Sequence, residues 1–144
     1  MAKFDLHNHI NVRPGLYPLA TAGADNTALV SQIVDTRDFG SVEFVVITGT
    51  IVDADATFTT VVHDGDVSNL SDATVVAATE LLGTNAQAGF AFSDDNKCFK
   101  IGYVGNKRYC RVTITPANNT GAAPIAGVWV LGQPVLGPTA NPPN

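Results

Sequence analysis

From Leu29 to Leu131 the chain is written almost wholly in short runs of β-branched and aromatic residues, each closed by Gly, Asn, Asp or Pro. Such runs suit a pleated, half-buried surface, where a branched Cβ packs well, and they crowd a helix. Leu29–Thr36, Ser41–Ile51, Thr57–Asp64, Gly89–Phe92, Lys97–Val104, Arg108–Thr115 and Ile125–Leu131 read as strands. Asp53–Ala56, Gly105-Asn106 and Asn118–Gly121 read as turns. In Thr57–Asp64 the alternation sets Phe58, Thr60 and Val62 on one face. Ala73–Leu82 fits a short helix as well as a strand. Roughly seven or eight strands at regular spacing, with no βαβ alternation and no internal repeat, predict an all-β fold: a single β-sandwich or jelly-roll-like domain.

Two segments carry sharper expectations. Lys97–Val104 and Arg108–Thr115 read as the clearest hairpin in the sequence, turned at Gly105-Asn106, and the apolar alternation pairs Ile101 with Cys110 and Phe99 with Val112. Cys110 is then buried, Cys98 points outward, and the two form no disulfide. Ile125–Leu131 is nearly all apolar, which predicts a strand that is central or buried on both faces.

The two ends read differently. Residues 1–28 show no sustained period and are broken by Arg13-Pro14-Gly15 and Tyr17-Pro18. They read either as a frayed terminus or as an extended arm that drapes over a neighbouring subunit. Leu6, Ile10, Val12, Leu16, Tyr17 and Leu19 favour the arm, because a purely solvated tail would not carry so many apolar side chains. Residues 132–144 hold four of the eight prolines and are expected to stay out of any ladder. The expected organisation is an extended N-terminal arm over 1–28, a sandwich over 29–131 and a Pro-rich C-terminal tail over 132–144.

Composition narrows the function. A chain of 144 residues suits one domain with one core. Hydrophobic residues make up 45% and charged residues only 15%, so part of the surface is expected to meet other chains. A net charge of −5 argues against nucleic acid, which calls for clustered Lys and Arg. No long apolar run spans a membrane, and the N-terminus lacks the apolar stretch of a secretory signal. Synthesis in the cytoplasm, with both cysteines reduced, is the corresponding expectation.

Chemical motifs are sparse. No nucleophile elbow, phosphate-binding loop or paired-cysteine motif is present. His7 and His9 share a face of an extended segment but supply two ligands where zinc needs more. Asp64-Gly65-Asp66-Val67-Ser68 suggests a weak calcium site at Asp64 and Asp66, but the EF-hand spacing fails at Asn69 and Val75. No catalytic residue, cofactor or metal ligand is expected. Lys97, Lys100, Lys107, Arg108 and Arg111 cluster in the expected hairpin, either as a solvated face or as a basic patch for an acidic partner. Trp129 with Tyr103 or Tyr109 would make a sugar-stacking platform, although Val128 and Val130 around Trp129 favour the core.

The runs Ile101–Tyr109, Val112–Gly121 and Pro124–Gly127, with Thr48–Phe58 and Ser93–Lys97 before them, resemble a family of small tailed-phage structural proteins over roughly residues 29–132. That resemblance implies a non-enzymatic virion component and, by analogy with shell-stabilising proteins, a capsid cement or decoration role. The expected place is the outer capsid surface, the expected partners are the major capsid protein and further copies of the chain as a homotrimer, and neither nucleic acid nor membrane is expected. A low-copy head–tail connector or tail component is the alternative, and a carbohydrate-binding host-attachment module is the second alternative. From the residues themselves, Leu6, Ile10, Val12, Leu16, Tyr17, Lys100, Lys107, Arg108 and Arg111 are the candidate partner-binding positions.

Overall fold

A computed structural model of the chain describes residues 4–18 and 25–142. Its strands are β1 (Ile10–Leu16), β2 (Leu29–Val30), β3 (Val34–Asp35), β4 (Phe39–Thr48), β5 (Thr57–Gly65), β6 (Thr74–Val75), β7 (Leu81–Leu82), β8 (Phe90–Ala91), β9 (Cys98–Tyr103), β10 (Tyr109–Ala117) and β11 (Ile125–Pro134). One sheet, sheet A, runs β1-β11-β4-β9-β7. The other, sheet B, runs β2-β10-β5-β6, with β3 also on β10 and β8 on β5. Every pairing is antiparallel. The expected β-sandwich is what forms.

The core lies between the sheets and is built by alternation. Val42, Phe44 and Val46 of β4 point inward with Trp129 and Leu131 of β11. Phe58, Thr60 and Val62 of β5 meet them from sheet B with Cys110, Val112 and Ile114 of β10. Each such apolar side chain taken out of water stabilises the fold by roughly 1.5–3 kcal/mol before entropy is charged against it. Thr60 is a polar guest in this layer, and its hydroxyl donates to the Ala88 carbonyl at 2.9 Å. Ala88 ends a single helical turn, Asn85–Ala88, that Thr84 caps by accepting from the Gln87 amide.

Phe44 and Trp129 meet edge to face, with ring centroids 4.9 Å apart. The Phe44 ring occupies space that side chains on the neighbouring strands would otherwise take. A Cβ on Gly127 would come within 2.5 Å of its Cζ, and one on Gly15 within 2.6 Å of its Cε2. Both flanks of the sandwich are closed by hydrogen bonds. On one, Ser31-Gln32 crosses between sheets: the Ser31 amide donates to Val112, the Gln32 amide to Gly15, and Trp129 Nε1 to the Gln32 carbonyl. On the other, the Tyr103 hydroxyl of sheet A donates to Asp64 Oδ2 of sheet B at 2.8 Å and accepts from the Lys107 amide at 2.9 Å. Burial, followed by this bond to Asp64, holds the Tyr103 phenol far above its ordinary range.

Four expectations are corrected. Lys97–Val104 and Arg108–Thr115 do not form a hairpin: β9 pairs with β4 and β7, β10 with β2, β3 and β5, and the Val104–Arg108 connection crosses from one sheet to the other. Ile101 therefore lies opposite Phe44, and Cys110 opposite Asp64 and Val34. Residues 10–16 are no free arm, because they form β1 on the edge of sheet A, bulged between Pro14 and Leu16. Leu19 lies outside the described residues. The tail does enter the ladder as far as Pro134, opposite Phe39 at the end of β11. Ala73–Leu82 is neither one helix nor one strand but β6, a short helical turn and β7.

Replacing Gly127 by Ala should destabilise the fold by about 1–3 kcal/mol, because the methyl group has no room beside Phe44. Urea unfolding measures this, and a Phe44→Leu change made together with Gly127→Ala should recover part of the loss.

Candidate functional site

The two outer faces of the sandwich differ in chemistry. On sheet B the outward positions of β5 and β10 include Thr57, Thr59, Thr113 and Thr115, a hydroxyl-rich surface. On sheet A they form a short row with a hydroxyl, Ile10–Gly132–Ser41, and three further cross-strand rows. The first is Val12–Val130–Glu43–Gly102–Leu82. The second is Pro14–Val128–Val45–Lys100. The third is Ala126–Ile47–Cys98. Glu43 and Lys100 are the charged members of these three rows, and the rest are apolar, glycine or Cys98. Ile47 is 51% exposed, Leu82 58% and Val128 38%. Alternation should place polar side chains on a solvent face, and here it places few: Ser41, Glu43 and Lys100.

Glu43 lies flat on this face. Its Oε2 and the Leu82 side chain take up the space over Gly102 that a side chain there would need. This crowding strips water from the carboxyl and raises its pKa, and the positive field of Lys100 partly offsets the rise. The Cys98 thiol is exposed on the same face. Cys110 is buried in the core, where burial pushes its thiol up to about 12.

Toward the end of β1 the face runs into an open groove of about 440 Å³, lined among others by Val12, Pro14, Tyr17, Pro18 and Val128. A second hollow of about 240 Å³ adjoins it through Pro18 and Ala126 and reaches Ile47 and Pro124. Their walls are almost wholly apolar, with Arg13 the charged residue at the first.

The two ends of the chain are fastened together beyond the sheets. The Thr139 amide donates to the Asn8 carbonyl at 3.1 Å, and the Thr139 hydroxyl donates to the Ile10 carbonyl at 2.5 Å. The Val135 amide donates to Asp38 at 2.9 Å. Asp5 caps the turn at His7–His9 by accepting from the Asn8 amide and side chain. Those two hydrogen bonds hold its carboxyl below the usual range. This clasp bears Phe4, Leu6, Val135 and Leu136, which are 66–95% exposed.

The candidate partner residues fall into separate places. Leu6 belongs to the clasp, Ile10, Val12 and Leu16 to β1, and Tyr17 to the groove. The basic residues do not gather into a patch. Lys100 is on the outer face of sheet A. Lys107 pairs with Asp66. Arg108 binds both oxygens of Asp35, at 3.1 and 2.7 Å, and lies over the Tyr109 ring. Arg111 lies opposite His63 on sheet B. The bonds from Arg108 hold the Asp35 carboxyl below its usual range. Trp129 is 1% exposed and Tyr103 5%, so neither offers a face to a sugar. Asp64 accepts from Tyr103 and Thr74, and Asp66 from Lys107, which engages both residues of the supposed calcium loop internally. Among the described residues no group of three or more His, Cys, Asp or Glu side chains gathers as metal ligands would.

Sequence reasoning turned Cys98 outward, as the structure has it, but did not pick out Ile47 or Val128 as surface residues. The usable signal was the nearly continuous apolar text of Ile125–Leu131, with Phe44–Ile47 beside it, which leaves both faces of a strand apolar. The structure makes β11 central, as expected, but covers only one of its faces.

No protein-family model matches the chain, and no curated protein matches it. Solved structures do. A xylan-binding module, CBM15, is 11% identical with a TM-score of 0.47, and the match covers 92% of this chain and 96% of that one. The CBM22-1–GH10 modules of Clostridium thermocellum xylanase 10B, complexed with xylohexaose, are 12% identical with a TM-score of 0.44, over 88% of this chain. A family two carbohydrate esterase from Cellvibrio japonicus is 14% identical with a TM-score of 0.43, over 92% of this chain. The chain spans 26% of the xylanase chain and 33% of the esterase chain.

The His63–Arg111 pair gives a pH prediction. His63 Nδ1 and Arg111 Nε are buried without a hydrogen-bond partner, and burial, followed by the Arg111 charge, holds the His63 imidazole below its usual 6.5. As pH falls through 6.5 the unfolded chain takes up the proton before the folded one, so stability should decline. Urea unfolding between about pH 7.5 and 5 reads this slope, and His63→Gln should flatten it.

Proposed function

We propose that this chain is a non-catalytic virion component that seats on the outside of a phage capsid and holds neighbouring shell subunits together. The carrying observation is the clasp, which sets four exposed apolar side chains outside both sheets, on segments fixed by backbone hydrogen bonds. A monomer gains nothing from exposing Phe4, Leu6, Val135 and Leu136, whereas a protein partner would bury them. Because the clasp is already ordered, docking costs less entropy than the capture of a loose arm. The resemblance of residues 29–132 to tailed-phage structural proteins supports a capsid as the partner. The mechanism is mass action: a ligand that binds only assembled subunits stabilises them by about 2.7 kcal/mol per site at a hundredfold excess over Kd. Repeated over a lattice, such contacts add through multivalency.

The test is Leu6→Asp with Leu136→Asp. These exposed positions should leave folding stability within about 0.5 kcal/mol, while affinity for purified shells falls more than about tenfold. Unchanged occupancy on the shells overturns the reading. Copy number per particle, by quantitative mass spectrometry, separates a shell role from a connector role.

A second reading, sugar binding, has one observation in its favour: Tyr17 is 57% exposed at the mouth of the 440 Å³ groove, where a pyranose could stack on its ring. The carbohydrate-binding modules named above share the sandwich, but the reading rests on Tyr17 and not on them. On a glycan array it expects binding that Tyr17→Ala abolishes. An array on which the unaltered protein binds nothing removes it.

A further inference from the structure

β11 is apolar on both faces and β4 carries Val45 and Ile47 on its outer one, and the fold covers only the inner face of each. The threonines of sheet B show how this same chain builds a face meant for water. Sheet A is built otherwise, with small aliphatic side chains rising evenly from a pleated surface.

We propose that the outer face of sheet A is buried against the same face of a second copy of this chain, in a two-fold contact. Charge selects this occupant. Each copy carries a net charge of −5, so two copies meet at least cost through a face that sets no further like charges against each other. The rows of sheet A carry Glu43 and Lys100, opposite in sign and diagonal neighbours across β4 and β9. In a two-fold contact residue i meets j and j meets i. Glu43 of one copy then faces Lys100 of the other, twice, around the axis. A strongly acidic or basic partner would set one of the two against a like charge. Glu43 is already stripped of water over Gly102, so part of the desolvation that a close charge pair demands is met before the copies touch.

Shape agrees. Sheets pack face to face about 10 Å apart when small side chains interdigitate. Val12, Val45, Ile47, Ala126 and Val128 are of that kind, and no aromatic ring stands in these rows. The contact does not depend on shell binding. It replaces the threefold association expected from the sequence, which would join two different patches in a ring instead of one patch to itself.

The experiment is sedimentation velocity of the full chain across a concentration series, without shells. The unaltered protein should form dimers. Glu43→Lys puts two cations on the face and Lys100→Glu two anions, so each variant alone should associate more than about tenfold more weakly. An equimolar mixture of the two should regain association, because each face now complements the other. Val128→Lys should give monomers, and circular dichroism confirms that the variants fold. Cys98 supplies a second readout: its alkylation should slow as dimers form, while Cys110, buried in the core, stays unreactive throughout. A monomer at every concentration, a trimer, or a mixture no better associated than its parts overturns the proposal.

Discussion

Two sheets that share no strand are held by what lies between them, and here that is one apolar layer. Phe44 and Trp129 press from sheet A onto Val62, Val112 and Ile114 of sheet B. The layer fixes more than stability. Because Phe44 fills the room over two neighbouring strands, positions 15 and 127 must be glycine, and β1 can lie close to β11 only where they are. The Tyr103–Asp64 bond adds direction to a layer that is otherwise non-directional. It joins the sheets at the point where the chain crosses between them, and it would leave a buried carboxylate poorly satisfied if the sheets slid apart.

Side-chain parity was legible in the sequence, and partner strands were not. Cys110 is buried and Cys98 exposed, as alternation requires, although the hairpin from which both were derived does not exist. The period of two says which side chains share a face of their own strand. It is silent on whether that face meets a neighbour in the same sheet or the opposite sheet across the core, since both choices bury the same residues. Gly105-Asn106 has the composition of a tight turn, yet it sits in a crossing loop fastened by the Lys107 amide to Tyr103. That bond joins residues whose significance appears only once the sheets are stacked.

The N-terminal strand was hidden for a different reason. Pro14 and Gly15 read as breakers, and at an edge they are tolerated: one side of the strand needs no donor, and a bulge absorbs the irregular register. The apolar outer face was half visible. A run such as Ile125–Leu131 announces burial on both sides, and its text does not reveal that the chain itself covers only one of them. The clasp was harder still, because it depends on Thr139 meeting residues about 130 positions away.

The edges of the two sheets have a consequence of their own. β7 borders one side of sheet A with two residues, β2, β3, β6 and β8 flank sheet B with two each, and the edge on the other side of sheet A, β1, carries Pro14 and a bulge. A proline brings no amide hydrogen, and a two-residue strand offers too short a template for another chain to extend. Copies that collide along β1 therefore find a poor template for zipping into a growing filament, a resistance written into the backbone itself.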